Sequence, residues 1–290
     1  MIIWLASYPK SGNTWVRAIL SQILLTGPSK ENEVLENLKN ISSYPKRKHF
    51  LNLSDKFIEE EDFEDKEKVI KNWIKSQDKI NSEKQIKIFK THNYLCKLSL
   101  KNKDSYSFTN LENTLGVIYI VRDPRNVITS LKYHYSLNSY KEAFEMMENR
   151  KMWIGIKEKT IPEAISSWDD HYESWSRFKN NFLLIKYEDL LEKPEKVIND
   201  ILKYIKNFIK VNLSESDVKK IISNTTFENM KNQENRSGFG ESVRDKNTKE
   251  RKKFFNLGPK NNWKELLDRD IAKLVENRFS ATMKKLNYVD

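Results

Sequence analysis

Residues 8–15 read Tyr-Pro-Lys-Ser-Gly-Asn-Thr-Trp and hold the side chains best suited to chemistry in this 290-residue chain. They follow an apolar run at 2–6 and precede a helical pattern that ends at Gly27-Pro28, which predicts a strand, a tight loop and a helix. Backbone N–H groups, hydroxyls and one ammonium then converge at a helix N-terminus, where the helix dipole adds partial positive charge. The loop is predicted to bind an oxyanion through Lys10, Ser11, Gly12, Asn13 and Thr14.

The loop differs from the nucleoside-triphosphate loop G-x-x-x-x-G-K-[ST]. That pattern needs a lysine directly after its second glycine, whereas Lys10 precedes Gly12 and no Gly-Lys pair follows. The order of these residues therefore argues against an ordinary ATPase or kinase. A nucleotide or small-molecule kinase with an atypical phosphate loop stays open as the alternative enzyme.

Three later apolar runs, at 86–89, 116–121 and 182–187, each lead into polar residues. The first is followed by Lys-Thr-His at 90–92 and the second by Arg-Asp-Pro-Arg at 122–125. Open α/β sheets bind their ligands at the carboxyl ends of the strands, which is where these residues are expected. Strands alternating with helices predict an α/β fold, a P-loop-like parallel sheet with helices on both faces.

Length and composition predict one domain spanning residues 1–290. Glycine and proline number only 7 each, and no linker, repeat or low-complexity stretch divides the chain. The charged residues 31–85, with an acidic run at 59–62, are interpreted as a helical elaboration. The polar stretch 233–250 contains two glycines and is interpreted as a mobile flap.

Net charge, cysteine content and hydropathy exclude several classes of protein. The 52 Lys and Arg residues are interleaved with 41 Asp and Glu residues, so the net charge of +11 does not form the compact basic arm of a nucleic-acid-binding protein. A single cysteine, Cys96, excludes an intramolecular disulfide and a multi-cysteine zinc site. The N-terminal apolar run is too short for a signal peptide and no run approaches the ~18 apolar residues of a membrane span, so a cytoplasmic protein is predicted.

Residues 8–15 resemble the 5′-phosphosulfate loop of the sulfotransferases that use 3′-phosphoadenosine 5′-phosphosulfate (PAPS) as sulfuryl donor. Residues 118–130 resemble that family's 3′-phosphate site, in which a strand-end arginine and a serine eight residues later hold the phosphate. Arg122 and Ser130 match both residue types and the spacing. A planar guanidinium donates two parallel bonds to phosphate and a hydroxyl adds a third. The competing interpretation is that Arg122 forms an ion pair with Asp123 or another carboxylate and that Ser130 is merely a helix residue.

Lys90-Thr91-His92 resembles the family's Lys-Thr-His segment, whose histidine is the general base toward the acceptor hydroxyl. An imidazole accepts a proton near neutral pH, and Lys90 can offset charge on the transferred group. His134, which is interpreted as packing, and His171 are the rival bases. The catalytic residues that the resemblance implies are His92, Lys10 and Lys90.

The resemblance continues through residues 168–175, 185–190 and 225–231, so it covers nearly the whole chain. It implies an adenine site in which aromatic rings supply flat contact area. A plain core role for the same rings is the alternative. The implied adenine-site residues are Trp15, Tyr187, Thr225 and Phe227.

The family's closing signature, Arg-Lys-Gly-x-x-Gly-Asp-Trp-Lys, corresponds to Asn-Leu-Gly-Pro-Lys-Asn-Asn-Trp-Lys at residues 256–264. Its arginine, lysine, second glycine and aspartate are absent. The candidate replacements for the two cations are Arg251, Lys252, Lys253 and Lys260. A non-catalytic nucleotide-binding protein of the same fold is therefore the second alternative.

The resemblance implies a transferase that moves a sulfuryl group from PAPS to a hydroxyl or amine of a small-molecule, lipid or carbohydrate acceptor. The reaction is an in-line displacement that needs no metal and releases adenosine 3′,5′-bisphosphate (PAP). Positioning and electrostatics are expected to carry most of the rate enhancement. The sequence leaves the acceptor and the oligomeric state open.

Overall fold

A computed structural model describes residues 1–25, 33–51, 53, 65–100, 104–155, 160–179, 181–246 and 248–290. The predicted helix stop at Gly27-Pro28 and the acidic run at 59–62 lie outside these residues.

The strands follow the predicted apolar runs and add two short hairpins. They are β1 (Ile2–Ser7), β2 (Lys87–Thr91), β3 (Lys97–Ser99), β4 (Ser105–Ser107), β5 (Thr114–Val121), β6 (Trp153–Ile154), β7 (Glu163–Ala164) and β8 (Phe182–Lys186). The hairpins are antiparallel and pair β3 with β4 and β6 with β7.

Helices lie between groups of these strands, and six of the helices in the described chain follow β8. The helices are α1 (Asn13–Leu24), α2 (Val34–Asn37), α3 (Lys66–Ser82), α4 (Pro124–Tyr135), α5 (Tyr140–Glu148), α6 (Trp168–Ser176), α7 (Tyr187–Glu192), α8 (Pro194–Ile205), α9 (Glu215–Asn224), α10 (Phe227–Ser237), α11 (Trp263–Leu266) and α12 (Arg269–Lys285). Among the described residues, none of them is long and apolar enough to cross a membrane.

The central sheet has the strand order β2-β1-β5-β8. Its β1 and β2 are parallel, with Ile2 opposite Lys87 and Ala6 opposite Thr91. All six residues of β1 are buried, which explains why its sequence is a continuous apolar run without alternation. The predicted fold class, an α/β protein with a parallel sheet flanked by helices, is confirmed.

The chain divides into two compact units, each built from three separate stretches. The first contains Met1–Tyr8, Ile41–Tyr119 and Asn149–Leu184. The second contains Pro9–Asn40, Ile120–Glu148 and Ile185–Asp290. The assignment of residues 1–290 to one domain stays a prediction.

Aromatic side chains form the core of the first unit. The Phe108 ring contacts four others edge-on or tilted, with centroid distances of 5.2 Å to Trp4, 5.4 Å to Trp73, 5.8 Å to Tyr44 and 6.1 Å to Trp175. Two of the rings also make hydrogen bonds: Trp4 Nε1 donates to Thr109 Oγ1 at 3.1 Å, and the Tyr44 hydroxyl donates to the Trp73 carbonyl oxygen at 3.0 Å. Aromatic rings of this size bury a large apolar area, which stabilises the core around β1.

The second unit has its own apolar cluster, which joins α1, α2 and α10 to the segment that follows α10. Its buried members are Ala18, Val34, Leu38, Met230, Phe239 and Phe255. Residues 233–237 of the stretch interpreted as a flap form the last turn of α10, and Gln233 and Glu234 are buried there. Mobility of the remainder stays a prediction.

Candidate functional site

The predicted phosphate loop connects β1 to α1 through two residues with left-handed backbone. Lys10 has a φ of 67° and Gly12, the N-cap of α1, a φ of 104°. The Gly12 carbonyl oxygen accepts the first helical bonds, from Trp15 N at 3.0 Å and Val16 N at 3.3 Å. A Cβ on Gly12 would lie 2.6 Å from Cδ2 of Tyr187, so the side-chain-free position lets this ring approach the loop.

We expect Gly12→Ala to lower the free energy of unfolding by about 2–4 kcal/mol. The left-handed backbone strains any residue with a Cβ, and the contact with Tyr187 adds overpacking. Urea denaturation measures the change. Gly240→Ala is the matched control, because a Cβ there meets nothing within 4 Å. Equal, small effects of the two substitutions would contradict the tight contact at Gly12.

Arg122 links the loop to the predicted 3′-phosphate serine. Its Nη1 donates to Ser130 Oγ at 3.3 Å and to the Lys10 carbonyl oxygen at 3.4 Å. Its guanidinium lies 4.0 Å from the ring centroid of Tyr187, and that ring meets Trp15 edge-on at 5.7 Å. Residues that the sequence assigned separately to the 5′ and 3′ phosphates are therefore in direct contact.

Among the described residues, Arg122 forms no ion pair with Asp123 or another carboxylate. Asp123 pairs with Arg125, whose Nη2 lies 2.7 Å from Asp123 Oδ2 and whose Nη1 lies 2.6 Å from Glu276 Oε1. Arg122 Nε and Ser11 Oγ are buried and have no hydrogen-bond partner among the described residues. Two buried donors of this kind fit an anionic ligand, since a phosphate oxygen accepts from both types.

Lys10 lies among groups of the second unit. Its Nζ is 3.5 Å from His134 Nδ1 and 4.3 Å from the ring centroid of Phe254. Burial lowers the pKa of Lys10 to about 8, and the nearby Glu241 carboxylate opposes that shift. His134, interpreted as packing, is thus a direct neighbour of the loop lysine.

A carboxylate already lies against the loop. Glu241 accepts a bond from Thr14 Oγ1 at 3.2 Å and pairs with Arg17 at 2.5 Å. The Thr14 hydroxyl proton is therefore engaged by this carboxylate. The remaining loop residue, Asn13, is the buried first residue of α1.

Thr225 and Phe227, the predicted adenine residues, lie before and at the start of α10. The Thr225 hydroxyl is buried and donates to the Ile221 carbonyl oxygen at 2.8 Å. The Phe227 ring packs against Gly258, where an added Cβ would lie 2.3 Å from the ring. The one glycine retained from the first part of the closing signature is therefore needed for this contact.

In the first unit, Lys90 and His92 converge on a carboxylate that the sequence did not single out. The buried Glu163, in β7, accepts from His92 N at 2.7 Å and from Thr91 Oγ1 at 3.2 Å, and it pairs with Lys90 Nζ at 3.7 Å. Residues 42–44 pair with Lys90 along the edge of β2. Glu163 thus partly neutralises Lys90 and fixes the backbone of His92.

Two of the three histidines of this unit, His92 and His171, have different hydrogen bonds. His92 Nδ1 lies 2.7 Å from the Ser7 carbonyl oxygen, which can only accept, so Nδ1 carries the proton and Nε2 the lone pair. His171 donates from Nε2 to the His92 carbonyl oxygen at 3.0 Å and meets the Tyr119 hydroxyl through Nδ1 at 2.8 Å. Burial lowers the pKa of His171 to about 4. His171 therefore supports the backbone of His92, and both of its ring nitrogens are engaged within the protein.

We expect Glu163→Ala to lower the free energy of unfolding by about 3 kcal/mol, because it leaves the partly buried Lys90 ammonium, the His92 N–H and the buried Thr91 hydroxyl without their acceptor. Glu163→Gln keeps an acceptor for His92 N and should recover part of the loss. Urea denaturation measures both. Glu83→Ala, which removes an exposed pair with Lys87, is the control and should change little. If Glu163→Ala were as stable as the wild type, Glu163 would not stabilise the protein through these bonds.

Comparison with known proteins gives the same family as the motifs. A model of the sulfotransferase domain matches residues 2–287. The rabbit (Oryctolagus cuniculus) amine sulfotransferase is 29% identical over 236 residues, which are 79% of this chain and 62% of that protein. The mouse (Mus musculus) sulfotransferase 1 family member D1 is 28% identical over 233 residues, covering 79% and 65%. The chain thus spans slightly less than two thirds of these relatives.

The fold comparison agrees. A crystal structure of a mouse sulfotransferase complexed with PAP superposes with a TM-score of 0.59 at 19% identity, and the match covers 97% of this chain and 84% of that one. With a family match across residues 2–287, this chain belongs to the sulfotransferase domain family.

Proposed function

We propose that this protein transfers the sulfuryl group of PAPS to a hydroxyl or amine of an acceptor. The observation that carries the proposal is the contact of Arg122 with both the loop carbonyl of Lys10 and the Ser130 hydroxyl. The buried Arg122 Nε and Ser11 Oγ support it, because both lack a partner among the described residues and both suit a phosphate. A binding site for both phosphates of the donor is the arrangement that these contacts favour.

In the proposed reaction, each catalytic residue either accepts a proton or stabilises negative charge. The acceptor oxygen or nitrogen forms a bond to sulfur while the bond from sulfur to the bridging phosphate oxygen breaks, and PAP leaves. His92 accepts the acceptor's proton at Nε2, since Nδ1 is held by Ser7. Lys10, Thr14 and the loop N–H groups stabilise the charge that develops on the departing phosphate, and Lys90 that on the sulfuryl oxygens. The donor residues are Lys10, Ser11, Gly12, Asn13, Thr14, Trp15, Arg122, Ser130, Tyr187, Thr225 and Phe227.

We propose that the acceptor is a small molecule and that the reaction takes place in the cytoplasm. The name of the rabbit relative, an amine sulfotransferase, supports amines among the acceptor classes. Nucleic acid is not proposed as a partner, because the basic residues are interleaved with acidic ones along the chain.

Thermal-shift titration with PAP, set against ATP plus magnesium, tests the donor. A ligand at a hundred times its dissociation constant stabilises the native state by about 2.7 kcal/mol, which gives a visible shift. A shift with PAP, followed by sulfuryl transfer from PAPS to an amine or phenol panel, supports the proposal. A shift with ATP and magnesium alone points to a kinase, and PAP binding without transfer to any acceptor points to a nucleotide-binding protein.

Affinity for PAP should fall as the pH rises above about 8. The pKa of Lys10 lies near 8 because the ammonium is buried, so the lysine is charged below that pH and neutral above it. The phosphates are already dianionic there, because their second pKa is about 6. Affinity then falls by up to about tenfold per pH unit, and binding takes up a proton.

Calorimetry between pH 7 and 9.5 in two buffers measures both the affinity and the proton uptake. Lys10→Arg, which stays charged throughout, is the control and should bind PAP with little dependence on pH. If the wild-type protein bound PAP with the same affinity across this pH range and without proton uptake, Lys10 would not contact the bound phosphate.

A further inference from the structure

The closing segment at 256–264 lacks the family's Arg-Lys pair, so the 3′-phosphate needs other support in this chain. Two of the candidate replacement cations are engaged elsewhere. Arg251 donates to the Phe239 carbonyl oxygen, and Lys252 pairs with Asp245 at 3.2 Å. One of the side chains that join this segment to α4 is a neutral amide.

That side chain is Asn261, which stands where the family signature has its second glycine. Asn261 is 7% exposed, and its Nδ2 donates to Ser130 Oγ and to the Asn126 carbonyl oxygen, both at 3.0 Å. Its Oδ1 accepts from the Thr129 hydroxyl at 2.6 Å. These three bonds fix which way the amide faces, so its N–H groups are held toward α4.

The two hydrogen bonds that Ser130 Oγ accepts leave its hydroxyl proton as the group that can bind a ligand. Ser130 Oγ accepts from Arg122 Nη1 at 3.3 Å and from Asn261 Nδ2 at 3.0 Å. A hydroxyl has two acceptor lone pairs and one proton, and neither neighbour can accept. Among the described residues, Ser130 Oγ acts only as an acceptor. Its proton therefore remains to be donated to a ligand, and the residue is partly exposed.

We propose that Asn261 is a positioning residue that orients Ser130 and Arg122 toward the 3′-phosphate, in place of the missing Arg-Lys pair. The inference rests on the proposed donor site. It makes recognition of the 3′-phosphate depend on an amide that the family signature does not contain. Glycine at position 261, the family residue, should weaken this recognition here.

Calorimetric titration with PAP and with AMP, which differ only in the 3′-phosphate, tests the inference. Asn261→Gly should weaken PAP binding about tenfold and leave AMP binding within about twofold. Asn262→Ala is the matched control. The Asn262 side chain bonds to Lys264 N and Glu265 Oε1, so its loss should leave the PAP-to-AMP preference unchanged.

The outcomes separate this inference from the proposed function. Wild-type protein that does not prefer PAP to AMP contradicts the donor site itself. A wild-type preference that survives in Asn261→Gly overturns the role of Asn261 alone. If Asn261→Gly does not fold, Thr129→Val decides the matter, because it removes the hydroxyl that orients the amide. We expect Thr129→Val to reduce the preference about threefold, and an unchanged preference overturns the inference.

Discussion

His92→Asn should bind PAP as the wild type does and transfer sulfuryl groups about 10²–10⁴-fold more slowly. The asparagine amide can replace the Nδ1–H donor that the Ser7 carbonyl oxygen requires, so the local backbone should hold. It has no counterpart of the basic Nε2, so the acceptor proton has no protein group to accept it. Steady-state kinetics with PAPS and a reactive amine or phenol measure the loss, and PAP titration confirms that the donor site is intact.

His134→Asn is the matched variant for the rival base. His134 lies 3.5 Å from Lys10 Nζ, so its replacement should alter donor affinity more than the proton transfer. Loss of turnover in His134→Asn with normal turnover in His92→Asn would move the general base from His92 to His134. A loss in both at unchanged PAP affinity would mean that the two imidazoles share the proton transfer.

Local sequence patterns were enough to predict the sheet and the loop. The four predicted strands match β1, β2, β5 and β8 to within a few residues, because each is an apolar run that ends in polar residues. The spacing of Arg122 and Ser130 is set by one strand end and one helix, so it can be read from neighbouring residues. Tyr187, included in the fourth run, instead begins α7.

The hydrogen bonds that hold the predicted site residues in place join residues far apart in the chain. Glu163 lies 71 residues after His92 in a two-residue strand, which is too short for any periodicity. Asn261 lies 131 residues after Ser130, and its position could not be inferred from a signature from which it departs. Each compact unit draws on three separate stretches of the chain, so the partners of a given carboxylate or amide cannot be derived from spacing.

Arg122→Ala should weaken PAP binding about 10²–10³-fold and abolish the preference for PAP over AMP. The guanidinium donates to Ser130 Oγ at 3.3 Å, and its Nε is buried without a partner in the described chain. Charge-assisted bonds to phosphate are the strongest that a side chain makes, and a lysine cannot reproduce the planar fork. Arg122→Lys should therefore recover only part of the affinity. Calorimetry with PAP and AMP measures both variants.

Arg125→Ala is the matched control, because Arg125 is an equally buried arginine three residues away whose carboxylate partners are Asp123 and Glu276. Its loss leaves Asp123 unpaired and should lower the unfolding temperature more than Arg122→Ala does, while folded protein keeps its preference for PAP. Arg122 has no such carboxylate in the described ion pairs, so its charge is available to a ligand. Wild-type PAP affinity in Arg122→Ala would show that the 3′-phosphate binds elsewhere, and the proposed donor site would be wrong.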